Sequence, residues 1–209
     1  MSNAYRTKNS TGLINKNKKI NFSFNGHTYH GYEGDTLASA LISNGIHLIG
    51  RSFKYHRPRG FLGVGVEEPN AMVQLHEGNK SEPNIIATEV ELVEGLKAKS
   101  QNCWPSVQFD IGEVNNLLNR FFPAGFYYKT FMWPKSFWMK IYEPFIRKAA
   151  GMGVAPLQPD PDRYEHNYEH CDVLVVGSGP SGLASALAAA KNGARVILAE
   201  DKANFGGSL

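Results

Sequence analysis

The chain has 209 residues, 42% of them hydrophobic and 20% charged, which leaves room for one large or two small globular domains. Its net charge of +3 is too small to imply nucleic acid or an anionic membrane as a partner. The sequence also has no run of about 18 uncharged apolar residues, the length needed to span a bilayer. Residues 1–19 lack the apolar core of a secretory signal and predict a disordered polar tail. With two isolated cysteines, Cys103 and Cys171, we expect a cytoplasmic protein without a disulfide framework.

Residues 20–99 predict a small α+β domain of β-grasp type. Alternating apolar residues begin at Ile20 and lead into Asn25-Gly26, a strong signal for a β-hairpin because both turn positions need positive φ. A helix follows in EGDTLASALISNG, where Asp35 or Thr36 can cap the first amides. Three further apolar runs, IHLIG, AMVQL and IIATEVEL, predict the remaining strands. A hairpin, a helix and then strands in this order are typical of the β-grasp fold.

One loop of this domain, RSFKYHRPRGFLGVGVEEPN (Arg51–Asn70), has an unusual charge distribution. Five basic side chains lie in its first nine residues, and a paired Glu67-Glu68 follows a run of glycines. The basic residues could bind nucleic acid, mark a former metal site, or serve only in packing. The sequence of the loop alone does not distinguish these three interpretations.

Residues 100–169 predict a connecting and docking segment that ends in a linker. Aromatic residues crowd runs such as FFPAGFYYKTFMWPKSFW, while three prolines exclude one long helix. Interleaved aromatic and basic residues could bind single-stranded nucleic acid, but anchoring against neighbouring domains or subunits is the favoured interpretation. In the polar linker, His166 and His170 lack the further ligands of a metal site.

Residues 170–209 predict the start of a Rossmann domain. A buried strand (Asp172–Val176) leads into the turn GSGPSG, an alanine-rich helix and a second strand (Arg195–Ala199). This is the context in which G-x-G-x-x-G binds a dinucleotide. Because a Rossmann sheet needs more parallel strands than these two, we expect the chain to be a truncated front part of a longer protein.

Each position of the glycine motif has a physical role. Gly177 supplies the tight turn, Gly179 lets the backbone approach a pyrophosphate, and Gly182 allows close packing of helix and strand. The helix N-terminus offers free amides and a positive dipole end to the phosphates. Glu200, at the end of the second strand, can accept hydrogen bonds from ribose hydroxyls, which disfavours NADP but does not separate NAD from FAD. Gly206-Gly207 can bring a second glycine turn towards the same nucleotide.

Taken in order, these segments resemble the N-terminal part of the α subunit of heterotetrameric sarcosine oxidases. The resemblance runs from about Ile20 to the last residue. Its most specific strings are RSFKYHRPRG, EEPNA, SQNCWPS, AGFYYKTFMWP and YEPFIRKAAGMG. These strings are longer and less common than the glycine motif, and they carry most of the resemblance.

The resemblance implies an activity and a set of cofactors. Members of this family demethylate sarcosine oxidatively to glycine with formation of hydrogen peroxide, and in the presence of tetrahydrofolate the released carbon becomes methylenetetrahydrofolate. NAD is expected in the Rossmann domain of the α subunit, with FAD, FMN and folate bound elsewhere in a complex with β, γ and δ subunits. No catalytic residue is expected in this segment. Matched to the family motif, the nucleotide contacts are Gly177, Gly179, Ser181, Gly182, Glu200, Asp201, Lys202 and Ser208.

The N-terminal region also resembles the β-grasp fold of [2Fe-2S] ferredoxins. Such a cluster needs four thiolates, and Arg51–Asn70 contains no cysteine, so we expect no iron–sulfur cluster and no other metal. Two alternatives stay open: the front of an opine or amine dehydrogenase α subunit that binds FAD, and a non-catalytic assembly module. Nucleic acid and membrane are not expected as partners.

Overall fold

The computed structural model describes residues 5–7, 12, 14–121, 124–125, 131, 133–151, 153 and 155–207. The chain forms two compact units, Met1–Pro161 and Asp162–Leu209. Each unit has its own sheet, and each is described by itself. In the part of the chain that the structure describes, no helix is long and apolar enough to cross a membrane.

The first unit is built on a mixed five-stranded sheet. In chain order its elements are β1 (Asn15–Phe24), β2 (His27–Glu33), α1 (Leu37–Ser43), β3 (Gly50–Arg51), β4 (Pro58–Arg59), β5 (Met72–Leu75), β6 (Glu82–Ile86) and β7 (Lys97–Ser100). The sheet order is β2-β1-β7-β5-β6, with β1 and β7 parallel and the other neighbours antiparallel. β3 and β4 form a separate short hairpin. This arrangement confirms the predicted β-grasp class.

Local sequence explains the hairpin and the helix that define this fold. Asn25 and Gly26 join β1 to β2 with φ values of 52° and 79°, the left-handed backbone that a two-residue turn needs. Thr36 caps α1 by accepting a hydrogen bond from the amide of Ser39, whose hydroxyl accepts in return from the Thr36 amide. The apolar face of α1 is buried against the sheet in a core that includes Phe22, Phe24, Leu37, Leu41, Val73 and Leu92. Burying each large side chain contributes about 1.5–3 kcal/mol.

The first strand begins before the start that alternation alone predicts at Ile20. Strand β1 starts at Asn15, whose side chain bonds Glu33, and Lys18 forms an ion pair with the same glutamate. Arg6, within the tail predicted to be disordered, makes a bidentate ion pair with the buried carboxylate of Asp35. These polar partners lie distant in sequence, so hydrophobic alternation carries no sign of them.

Between β7 and the second unit, the described residues form short helical turns and no further sheet. They are 3₁₀ turns at Ile111–Glu113, Asn119–Phe121 and Lys135–Phe137, a π turn at Trp138–Tyr142, and helices α2 (Val114–Leu117) and α3 (Glu143–Ala149). Many large apolar side chains here face outwards; Leu117 is 82% exposed and Trp133 is 83% exposed. The segment therefore has more apolar surface than it can bury by itself.

The second unit is a single βαβ element. Strands β8 (Val173–Val176) and β9 (Val196–Ala199) pair in parallel around helix α4 (Pro180–Lys191). The two strands match the sequence prediction to within one residue at each end. Val176 is 80% exposed and Leu174 is 59% exposed, because a two-stranded sheet leaves one face uncovered.

Candidate dinucleotide-binding site

The turn between β8 and α4 has the geometry that its glycines predict. Gly177 has a φ of 94°, a backbone that side chains disfavour. Gly179 is the N-cap of α4, and a methyl group there would meet nothing within 4 Å, so space is open in front of the first helical amides. At Gly182 a methyl group would overlap the carbonyl oxygen of Gly177 and touch Val175 of the strand. Close packing at Gly182 thus involves the turn as well as the strand.

Glu200 closes the turn from the end of β9. Its Oε2 accepts from the Ser178 amide at 2.7 Å and from the Ser178 hydroxyl, while Oε1 accepts from the amides of Asp201 and Lys202 at 3.0 and 3.2 Å. Hydrogen bonds from the hydroxyl and the amide of Ser178 are the largest causes that lower the pKa of Glu200 to about 2. This carboxylate is therefore ionised at neutral pH.

Ser178 lies in the turn but was not selected by motif matching. It is fully buried, and its carbonyl and hydroxyl both accept from the Gly206 amide, at 3.1 and 3.2 Å. Gly206-Gly207 therefore does approach the first glycine turn. The sequence does carry a signal for the contact between Ser178 and Glu200. It is a serine at the x position of G-x-G, together with an acidic residue at the end of the next strand.

The remaining residues predicted to contact the nucleotide are Ser181, Asp201, Lys202 and Ser208. Ser181 is exposed in the first turn of α4, and Asp201 and Lys202 contribute amides to Glu200 while their side chains are exposed. Ser208 lies outside the described residues. The structure brings Gly177, Ser178, Glu200 and Gly206 together, with Gly179 at the accessible side.

A second polar centre occupies the loop Arg51–Asn70 of the first unit. The buried guanidinium of Arg51 donates to the carbonyls of Val107, His56 and Gln108 at 2.9–3.2 Å and to the Glu113 carboxylate at 3.1 Å. This arginine therefore fixes the loop to the segment that follows β7.

His56 and Asp110 form the next link of this polar centre. His56 Nδ1 lies 2.5 Å from Asp110 Oδ2, and both residues are buried. The other oxygen of Asp110 accepts from the amides of Trp104 and Gly112, each at 3.1 Å. This pair therefore joins the loop to the segment that follows β7.

Glu68 organises the glycine-rich end of the loop. Its carboxylate is 3% exposed and accepts from the amides of Leu62, Gly63 and Asn70 at 2.6, 2.6 and 2.7 Å. Burial raises the pKa of this carboxyl, but the amide donors outweigh burial and hold the pKa of Glu68 below its usual value. Its neighbour Glu67 is exposed and accepts from the amides of Val64 and Gly65.

The loop residues do not fit an iron–sulfur cluster. Cys103 and Cys171 are the only cysteines in the sequence, and neither lies in the loop, whereas a cluster of this kind takes four thiolate ligands. Burial, and then the carboxylate of Asp110, raise the pKa of the Cys103 thiol, which opposes metal binding. Among the described residues, no group of three or more His, Cys, Asp or Glu side chains could hold a metal ion.

The fold and the glycine turn define a class: a β-grasp domain of ferredoxin type followed by the first βαβ unit of a dinucleotide-binding domain. Residues 17–103 match the family described as 2Fe-2S iron-sulfur cluster binding domain, and residues 172–209 match the family described as FAD dependent oxidoreductase. The chain is 58% identical to the sarcosine oxidase α subunit of Rhizobium meliloti (strain 1021) over 95% of its own length and 20% of the relative's. It is 32% identical to the α subunit of Corynebacterium sp. (strain U-96), over 94% of this chain and 16% of that one.

The predicted resemblance to sarcosine oxidase α subunits is therefore confirmed. The chain spans about a fifth of the length of the Rhizobium meliloti relative and less of the other. A solved structure, L-proline dehydrogenase from P. horikoshii, aligns with 91% of this chain and 26% of its own, at a TM-score of 0.41 and 20% identity.

Proposed function

We propose that this chain is the N-terminal part of the α subunit of a heterotetrameric sarcosine oxidase, and that its second unit begins a dinucleotide site. The complex would oxidise the CH–NH bond of sarcosine to yield glycine and hydrogen peroxide, and with tetrahydrofolate it would form methylenetetrahydrofolate. Support comes from the similarity over nearly the whole chain and from the Glu200 carboxylate at the glycine turn. This segment alone would not catalyse the reaction.

The residues of the turn fit the adenosine half of a dinucleotide. Gly179 is the N-cap of α4, a methyl group there would meet nothing within 4 Å, and a helix N-terminus stabilises phosphate charge. The ionised Glu200 would accept hydrogen bonds from ribose hydroxyls in exchange for its present bonds to Ser178. The same negative charge would repel a 2′-phosphate, which favours NAD over NADP.

NAD is the proposed ligand, and FAD is the alternative. NAD follows from the resemblance to the sarcosine oxidase α subunit, whereas the family match of residues 172–209 to FAD dependent oxidoreductases favours FAD. Both carry the adenosine that Glu200 would contact.

Titration of the 209-residue protein with NAD, NADP and FAD tests the site. We expect saturable binding of NAD, at least about tenfold weaker binding of NADP, and a loss of about tenfold in NAD affinity for Glu200→Gln. Glu169→Gln, which removes an exposed carboxylate bonded to Arg195 in the same unit, is the matched control. Tighter binding of FAD than NAD would select the alternative, and equal binding of NADP would contradict the proposed role of Glu200.

A second candidate function, docking within an assembly, rests on the exposed apolar residues of the connecting segment. Leu117, Phe121 and Trp133 are each at least 75% exposed. Such side chains suit a surface covered by the β, γ or δ subunit or by further α-subunit domains. Replacing Leu117 and Phe121 by serine should weaken co-purification with co-expressed partner subunits and leave the fold of the sheet intact by circular dichroism. Unchanged co-purification would contradict this role.

A further inference from the structure

The guanidinium of Arg6 fills a socket in the first unit, formed by Asp35, Ser43 and Tyr32. The Asp35 side chain is 0% exposed, and the Arg6 side chain is 12% exposed. Arg6 Nη1 donates to Asp35 Oδ1 at 3.1 Å, while Nη2 donates to Asp35 Oδ2 at 2.6 Å and to the Ser43 hydroxyl at 3.1 Å. The guanidinium carbon lies 5.1 Å from the centre of the Tyr32 ring. A two-oxygen carboxylate, a hydroxyl and an aromatic face are contacts that suit a planar guanidinium.

Other bonds of the fold orient the groups of the socket. Asp35 Oδ1 also accepts from the Ser39 hydroxyl at 2.7 Å, and Oδ2 accepts from the Tyr32 amide at 2.8 Å. The Ser43 hydroxyl donates to a carbonyl of α1 at 2.8 Å. Gly31 leaves room for the carboxylate, because a methyl group there would lie 3.0 Å from Asp35 Oδ2. The carboxylate is therefore held in position by contacts other than those from Arg6.

The segment that carries Arg6 lies at the surface. Residues 5–7 are outside the helices and strands, and Tyr5 is 65% exposed, with its ring edge-to-face against His47 at 5.3 Å. Arg6 Nε is buried and has no hydrogen-bond partner among the described residues. Because an unpaired buried donor weakens a contact, Arg6 satisfies the socket incompletely. Such an occupant can be replaced by another group of the same chemistry.

We propose that this socket is a binding site for guanidinium groups, and that Arg6 occupies it as an intramolecular ligand that an external guanidinium can replace. The site selects a guanidinium over an ammonium ion, since an ammonium ion is a point charge that lacks the planar fork matching both oxygens of Asp35. The inference rests on the first unit alone and does not depend on the proposed oxidase activity.

Chemical rescue of Arg6→Ala in the whole 209-residue protein tests the site. The substitution leaves the buried Asp35 carboxylate without its cation, so we expect a lower thermal midpoint than that of the wild type. Ethylguanidinium, added at constant pH and ionic strength, should raise this midpoint. It should also shift the NMR signal of the Tyr32 amide in a saturable way, because that amide donates to Asp35 Oδ2.

Two comparisons show whether the rescue is specific. Ethylammonium should bind Arg6→Ala at least about tenfold more weakly than ethylguanidinium, since it lacks the fork. The wild type should bind ethylguanidinium at least about tenfold more weakly than the variant, because the tethered Arg6 competes for the same socket. Adding Asp35→Asn to Arg6→Ala should abolish the saturable shift.

Arg57→Ala is the matched control. The Arg57 guanidinium also lies over a tyrosine ring, 4.7 Å from the centre of Tyr55, but its Nε donates to the side-chain oxygen of Asn116 and not to a carboxylate. We expect this variant to bind ethylguanidinium no more tightly than the wild type. If Arg6→Ala does not fold, Arg6→Gln, whose amide can still donate to Asp35, replaces it in the same titrations.

Three results would overturn the proposal. The first is ethylammonium binding as tightly as ethylguanidinium, and the second is a gain in binding for Arg57→Ala equal to that for Arg6→Ala. The third is the absence of a saturable shift at Tyr32 in the Arg6 variant that folds, which would make the Arg6–Asp35 pair purely structural. If both Arg6 variants are unfolded, ethylguanidinium added during refolding should restore the fold, and a failure to restore it would also count against the site.

Discussion

Glu68 has an environment unlike that of an ordinary surface glutamate. Three backbone amides surround its carboxylate, and two of them come from the glycine-rich stretch that precedes it. In a ferredoxin-type cluster loop, the backbone must surround an anionic inorganic group. In this protein a side-chain carboxylate satisfies amides of the corresponding loop. The loop therefore needs no metal to hold its shape.

Replacing Glu68 by glutamine should destabilise the first unit. Charge-assisted hydrogen bonds to a buried carboxylate are each worth about 1.5–3 kcal/mol, so we expect a loss of that order in the free energy of unfolding at pH 7. Because the native pKa of Glu68 lies below the ordinary glutamate value of 4.5, its contribution to stability is fully present above that ordinary value and is lost as pH falls through the native pKa. Urea denaturation at pH 7 and pH 3 measures both effects.

Glu67→Gln is the control for this experiment, since Glu67 is exposed and bonds the adjacent Val64 and Gly65 amides. We expect a change within about 0.5 kcal/mol for that variant. The two variants should also differ in pH dependence, with a smaller wild-type-to-mutant gap at pH 3 than at pH 7 for Glu68→Gln. An equal effect of the two substitutions would refute the special role of Glu68.

Among the helices, strands and turns, the elements that could be predicted from the sequence are those that depend on local signals. The hairpin at Asn25-Gly26, the Thr36-capped helix and the βαβ unit each follow from neighbouring residues. Contacts between distant residues were not predictable in this way: the Arg6–Asp35 ion pair, the Arg51 bonds to Val107 and Gln108, and the His56–Asp110 pair all join positions 29 or more apart. Such pairs depend on the tertiary fold, which no periodicity encodes.

The turn between β8 and α4 allows its two roles, folding and binding, to be separated by matched substitutions. Gly182→Ala places a methyl group against the Gly177 carbonyl and should destabilise the second unit. Gly179→Ala meets no protein atom, so the unit should fold normally, yet the methyl group should obstruct the approach of a pyrophosphate and reduce NAD affinity about tenfold. Circular dichroism measures the effect on folding, and NAD titration measures the effect on binding. The same loss of folding in both variants would contradict this separation.

For the whole molecule, the absence of ligand cysteines has a direct consequence. Expression with supplied iron and sulfide should give a protein without iron–sulfur absorbance, and a chelator should leave its thermal midpoint unchanged, because the loop is closed by Arg51 and Glu68 rather than by metal. Visible absorbance and iron analysis of the purified protein check this. Stoichiometric iron, or a chelator-induced drop in the midpoint, would contradict a metal-independent loop.

The two units should also differ in stability. The large apolar core cluster lies wholly in the first unit, whereas Ser178 is the one described residue of the second unit that is buried. Amide exchange depends on the free energy of local opening, so amides of β8, β9 and α4 should exchange at least about tenfold faster than those of β1, β5 and β7. Added NAD should slow exchange at 177–182 in the wild type and not in Glu200→Gln, since a ligand stabilises only the state that binds it. Equal protection in both units would show that the two-stranded sheet gains its stability from a source other than its own core.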